Sequence, residues 1–442
     1  MQTRGHKQLW QLVPILCAGL VAAVVTTGWA ALAPRTTEAA PGAIAVHQNA
    51  HQAVDHAGTA GTAPATAADR AVRLQALLGQ HSVLAADVMR SRIRGDDDFV
   101  QAANAALGKN TDAMTELIGQ MFGAATAKKF EPMWAEHIVE LVAYAAALGD
   151  EDDAARAEAH EELVEYEGDL ADFFAGASQG RLAPSAAHAA VAMHVEHLTS
   201  QADAYAAGDY AKADRLYREG YEHTYDLGLA LADALLPAAD RATLKEPIWR
   251  LRSQLGKLLA EHAVLVEDVT RAAVTNTPDF AAAGDAINAN TTALTSAIDT
   301  LFGAAAAKDF MSLWASHVEQ LVAYGAATAA KDAGRQGQAR ARLAEFEKQM
   351  AAFLVAATAK RMTAQDLSAA LLAHDSLLLK HADAYGAKDY ATAHDVAYQT
   401  YEHMFDLARQ LADAFGATVA ARLPVGGAHT GQGGLADLVG SR

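Results

Sequence analysis

The chain has 442 residues, 52% hydrophobic but only 7% aromatic, with a formal charge of −18. That length allows two or three ordinary domains, and so acidic a balance argues against nucleic acid, which needs a basic groove or stripe. The single cysteine, Cys17, lies in the N-terminal apolar run, which leaves the rest of the chain without disulfides, thiolate ligands, Fe–S clusters or c-type haem attachment.

Arg4, His6 and Lys7 precede an uncharged apolar run over about 13–33, and small residues follow at Ala39 and Ala40. Residues 1–39 therefore read as an export signal. Because the run exceeds the usual ~7–15-residue signal core, an uncleaved anchor is the alternative. Either way the protein is expected to be exported, and then secreted or anchored at the outer face of the cytoplasmic membrane. Residues 40–67, rich in Ala, Gly, Thr and Pro, read as a flexible linker. Its His47, His51 and His56 are incidental polar residues or a loose metal-capturing arm.

From there to about residue 420 the chain is Ala-rich and Pro-poor with a 3.6-residue apolar period, the pattern of helices. It also repeats itself: MWAEHIVELVAY (133–144) is answered by LWASHVEQLVAY (313–324), and YEHTYDLGLALADAL (221–235) by YEHMFDLARQLADAF (401–415). So long a period marks domain duplication, not a solenoid of short units. The expected fold is all-α, with two tandem homologous helical-bundle domains, 68–238 and 247–420, of about six helices each. In the first copy the helices are expected over 68–94, 97–122, 125–148, 151–178, 184–206 and 209–236. Gly95 with Asp96–Asp98, Gly149-Asp150 and, in the second copy, Asn276 to Asp279 break them. Asp209 and Asp389 are placed as N-caps, and Thr363 with Asp366 resembles a capping box. The Gly-rich tail, 421–442, is expected to be disordered.

Four histidines are duplicated with the text. His137, His194 and His223 recur 180 residues later as His317, His374 and His403, and His81 recurs as His262, 181 residues on. Each lies near the middle of a different predicted helix and on its apolar stripe, as in Trp134–His137–Leu141–Tyr144 or Leu77–His81–Leu84. One histidine on such a face is usually a core residue whose nitrogens find a carbonyl or hydroxyl. Four at one level are harder to satisfy, because each unpaired buried group costs ~1–3 kcal/mol. A metal ion satisfies four nitrogens at once, so His81, His137, His194, His223, His262, His317, His374 and His403 are the candidate metal ligands. Asn110, Tyr144, Asn290 and Tyr324 are the expected outer partners. His197 and His381 are unshared second-tier candidates, and His160, His188 and His394 are expected to face solvent.

Inward Glu-x-x-His pairs of di-iron bundles are missing. Glu222 and Glu402 adjoin a site histidine, but one residue along a helix turns a side chain by ~100°. An all-imidazole set suits copper first and zinc second. Haem b is the rival, held axially by two histidines and packed by Trp134, Phe130, Phe122 and Tyr144. Binding needs neutral imidazoles, so occupancy is expected to fall below the ordinary histidine value of about 6.5.

Asn110-Thr111, Phe130, Trp134, His137, Tyr221-Glu222-His223 and their second-copy partners resemble the pattern of a group of secreted bacterial helical His-repeat proteins. Some of these are named for an associated copper amine oxidase N-terminal-like segment. The resemblance covers both repeats and implies an architecture, but no activity, oxidase chemistry or quinone cofactor. No hydrolase triad, phosphate loop or paired inward carboxylates stand out, so catalysis is not the expectation. The favoured reading is an exported metal-binding protein for storage, buffering or delivery. A haem-binding redox protein or electron carrier is one alternative. A structural or interaction module of the cell envelope, its histidines merely core, is the other.

Overall fold

The structure, a computed structural model, describes residues 66–422. The expected export segment with Cys17, nearly all of the linker with its three histidines, and the tail from residue 423 lie outside the described residues. Within them every element is helical and none is a strand. The first copy supplies α1 (Ala67–Arg94), α2 (Asp97–Phe122), α3 (Ala124–Gly149), α4 (Asp153–Ala177), α5 (Pro184–Ala206) and α6 (Tyr210–Leu235). A short α7 (Ala238–Arg241) and a 3₁₀ turn (Ala242–Lys245) lead to the second copy. There α8 (Pro247–Thr275), α9 (Phe280–Phe302), α10 (Ala304–Ala329), α11 (Ala333–Ala357), α12 (Ala364–Gly386) and α13 (Tyr390–Arg422) repeat the order. No described helix is long and apolar enough to cross a membrane.

The expected breaks hold, with local differences. Asp209 and Asp389 cap through their side chains, accepting from the Lys212 and Thr392 amides at 3.2 and 3.1 Å. Thr363 accepts from the Asp366 amide at 3.1 Å. Asn276 closes α8 in the left-handed conformation, a role its short side chain tolerates. Asp279 caps nothing with its side chain, which is buried against Arg271 instead. A single residue joins α2 to α3 and another joins α9 to α10. Gly123 (φ 90°) and Gly303 (φ 88°) occupy these joints, in backbone conformations that suit glycine.

Each copy is built around its first helix. α1 packs against α2, α3, α5 and α6, and α8 against α9, α10, α12 and α13. Both are buried on nearly every face, as a helix ringed by neighbours must be. α4 and α11 stand outside, making their main contacts with the helices before and after them in sequence. All these helices lie in one compact unit with a continuous apolar core. α1 and α8 touch each other, α6 meets α9, and α13 meets α2.

The contacts between the copies are reciprocal, as between the subunits of a symmetric dimer. Tyr401 Oη donates to the Ala76 carbonyl of α1 (2.9 Å), while Tyr221 Oη donates to the Lys257 carbonyl of α8 (3.1 Å). The two hydroxyls are 3.3 Å apart. Gly79 makes room for this tyrosine cluster, since a Cβ there would stand 2.6 Å from the Tyr225 ring and 2.9 Å from that of Tyr221. Beyond the tyrosines lies a buried charge network. Arg90 pairs with Asp214 (2.8 Å) and reaches across to Asp268 (3.8 Å), while its duplicate Arg271 pairs with Asp268 (2.7 Å) and Asp279. Burial pushes the Asp87 carboxyl up to about 7, aided by Asp268, and that of Glu267 up to about 8.

Candidate metal centre

Three of the four duplicated histidines converge in each copy. His81 on α1, His137 on α3 and His194 on α5 are buried, and their candidate ligand nitrogens all lie within 4.8 Å of one another. His262 on α8, His317 on α10 and His374 on α12 form the same triad. In the first, the ring centroids are 4.9, 5.5 and 6.5 Å apart, and the Nε2 atoms of His81 and His137 share a hydrogen bond of 3.0 Å. The second is nearly equilateral, at 5.5, 5.6 and 5.7 Å. Two nitrogens bound to one tetrahedral ion at ~2.0–2.1 Å stand about 3.3 Å apart. Rotamer-scale movement therefore separates both triads from ligating geometry.

The fourth histidine does not join. His223 Nε2 bonds the Ala190 carbonyl at 2.8 Å, and His403 Nε2 the Ala370 carbonyl at 2.9 Å. Both are half-buried, and each ties the last helix of its copy to the helix before it. Of the four histidines expected to converge at His81, His137, His194 and His223, and likewise in the copy with His403, three come together in each copy. A backbone acceptor satisfies the remaining histidine.

The expected outer partners are also engaged elsewhere. Asn110 donates to the Leu77 carbonyl and Gln80 (3.0 and 3.1 Å), and Asn290 to the Leu258 carbonyl and Glu261 (3.0 and 2.7 Å). They fasten the second helix of each copy to the central one. Tyr144 donates to Asp203 and Tyr324 to Asp383, at 2.9 and 2.8 Å.

What surrounds the triads is aromatic. Trp134 packs on His81 at 4.4 Å and Trp314 on His262 at 4.5 Å, centroid to centroid. The outer helices add a stacked ring each, Tyr166 of α4 on His137 (4.5 Å) and Phe346 of α11 on His317 (4.3 Å). Burial in this setting holds His81, His194, His262 and His374 well below the ordinary histidine value, with neighbouring histidines acting in the same direction. Burial lowers His137 to about 3, a backbone interaction with Trp134 partly opposing it. These imidazoles are therefore neutral, with lone pairs available well below pH 6.5. Both nitrogens of His194, His262 and His374, and the Nδ1 atoms of His81, His137 and His317, have no hydrogen-bond partner. Nitrogens left so at ~1–3 kcal/mol each suit a group that accepts their lone pairs.

Directly against the triad histidines, the copies exchange one pair of polar groups. The second has Asp375 on α12, whose Oδ1 accepts from His317 Nε2 at 2.8 Å and which is only 2% exposed. At the matching position of α5 stands Val195, and the first copy's extra polar group is the Tyr166 hydroxyl, where the second has Phe346. Burial, with Glu167 nearby, pushes the Tyr166 phenol well up, keeping it protonated and uncharged. Beside Asp375, Glu347 is raised to about 7 by burial first and by Asp375 second.

Of the remaining histidines, His160 and His188 are exposed, as expected. His394 is not. It is 5% exposed, with its ring 4.4 Å from that of Phe99 in the other copy, a neighbour invisible within one repeat. His381 is buried and lies with His394, Asp87 and Glu267 around a small cavity between the copies, away from the triad. His197 lies beside His223, their centroids 5.7 Å apart, and joins neither triad. No protein-family model matches the chain, and no curated protein or solved structure matches it either.

Proposed function

We propose that each triad holds one transition-metal ion, copper favoured over zinc, in an exported protein that stores, buffers or delivers the metal. The ligands are His81, His137 and His194 in the first site and His262, His317 and His374 in the second, and His223 and His403 are removed from the set. One observation carries this reading: in both copies, three buried imidazoles from three helices meet, each with at least one ring nitrogen that has no hydrogen-bond partner. Two tandem copies of one helical-bundle domain behind an export signal or anchor complete the proposal, consistent with the resemblance to secreted His-repeat proteins.

The aromatic packing favours a bare ion over haem b. Trp134 and Tyr166, and Trp314 and Phe346, lie directly on the histidines, filling the space a macrocycle would need between two axial imidazoles. The competing reading is a hydrogen-bonded histidine core in a structural module of the cell envelope, which the His81–His137 bond favours.

The test is elemental analysis of the purified full chain after equal loading with copper or zinc and removal of free metal. Two ions per chain are expected. Replacing His137 and His194 together by Ala should leave one, because the second triad shares no ligand with the first, whereas His223→Ala should leave both. A wild-type stoichiometry near zero would return the triads to the hydrogen-bonded core.

A further inference from the structure

Building on that reading, we infer that the two sites select different ions: the first triad a monovalent soft cation, copper(I), and the second a divalent cation of the zinc class. The difference lies in Asp375. Its carboxylate is buried, its Oδ1 accepts from His317, and the Glu347 carboxyl, raised to about 7, adjoins it. No Lys or Arg pairs with it among the described residues. A carboxylate so placed is costly to bury without a compensating cation. The corresponding position of the first copy carries Val195, so that site offers only neutral donors.

Charge bookkeeping separates the ions. The cost of burying a charge rises with its square, so a dication among three neutral imidazoles costs about four times as much as a monocation. Copper(I) among three imidazoles leaves the first site at a net +1, and copper(I) is content with that low coordination number. A divalent ion in the second triad is offset by the shared negative charge of the Asp375–Glu347 carboxyl pair, acting through the His317 ring that Asp375 holds, and that pair has no counterpart at Val195. A carboxylate that fixes a ligating imidazole also raises the basicity of the ring, the arrangement common at zinc sites. The donor sets differ accordingly, all-imidazole in one copy and imidazole with a harder oxygen beside it in the other.

The experiment uses the full chain stripped of metal. Copper(I) is added anaerobically in competition with bicinchoninate, and zinc(II) or cobalt(II) against a fluorescent chelator. Three variants accompany the wild type: H81A with H194A, H262A with H374A, and the nearly isosteric D375N. The wild type should take one copper(I) and one zinc with the tighter affinities in different copies. H81A/H194A should keep the zinc site and H262A/H374A the copper(I) site. D375N should weaken zinc binding by about 10–100-fold, the range found when a partner of a ligating histidine is removed, while copper(I) affinity stays within about 3-fold. If the histidine variants fail to fold, D375N alone still separates the two affinities. Unchanged zinc affinity in D375N, or equal preference at both sites, overturns the inference and leaves the metal reading standing. Binding of neither metal overturns both.

Discussion

The two histidine triads occupy equivalent places in the two sequence repeats, yet two positions beside them exchange polarity. The first copy sets a neutral phenol, Tyr166, over His137 and an apolar Val195 after His194; the second sets Phe346 over His317 and Asp375 after His374. The imidazoles themselves, the tryptophan on the central histidine and the backbone-tethered fourth histidine are the same in both. The two repeats keep the three histidines and differ in the polarity around them. It is therefore the surroundings, not the ligand count, that can distinguish the sites.

The largest expected effect tests what the copies share. With metal removed, burial holds His81, His194, His262 and His374 of the folded chain below the unfolded value of about 6.5. The unfolded chain then binds more protons, and the stability they contribute is complete above pH 6.5 and lost as pH falls toward about 3, the value at His137. Each unit of separation is worth about 1.4 kcal/mol per group. Thermal melts of the apo chain should therefore drop steeply between pH 6.5 and 4, with metal-loaded protein resisting until the ion is released. This moves the acid loss of metal below the 6.5 expected from the sequence. A flat apo profile over that range would mean the histidines are not held neutral by burial.

Gly79 faces the tyrosine cluster, whereas the equivalent position of the second copy already carries Ala260. Gly79→Ala must push aside Tyr225 and Tyr221, and is expected to destabilise by about 1–3 kcal/mol despite its better helix propensity. Ala260→Gly should cost only about 0.5–1 kcal/mol, the ordinary penalty of a helical glycine. Urea melts of both variants check it, and equal effects would mean the tyrosines have room to move.

A third effect concerns Glu267, whose raised carboxyl binds a proton in the folded state up to about pH 8. Between the unfolded value near 4.3 and that limit, the folded chain holds the extra proton, so stability declines as pH rises. Glu267→Gln removes this slope, and melts should show the variant gaining on the wild type from pH 6 to pH 9. A constant difference would place the titration elsewhere, Asp87 being the neighbouring candidate at about 7.

Most of the fold was legible because Ala-rich 3.6-residue periodicity and capping chemistry act locally. The triads were legible because each histidine lies on a core-facing stripe and recurs in the second copy. The fourth histidine misled, since an inward stripe says nothing about which acceptor a ring nitrogen meets, and the Ala190 and Ala370 carbonyls come from another helix. Asp375 was passed over although a lone acid inside LLAHDSLLL (371–379) was a visible signal. The ~100° turn that carries it away from His374 aims it at His317 on α10. His394 and the ring of α4 or α11 over each triad depend on packing between helices far apart in sequence, which periodicity within one helix cannot encode.

The most direct test of the central claim is an anomalous difference map from crystals of the chain loaded with copper and zinc, recorded at the absorption edge of each metal. One peak should appear among His81, His137 and His194 and one among His262, His317 and His374, each about 2.0–2.1 Å from three imidazole nitrogens. Empty triads at full metal load, with the Nε2 atoms of His81 and His137 still hydrogen-bonded at 3.0 Å, would contradict it.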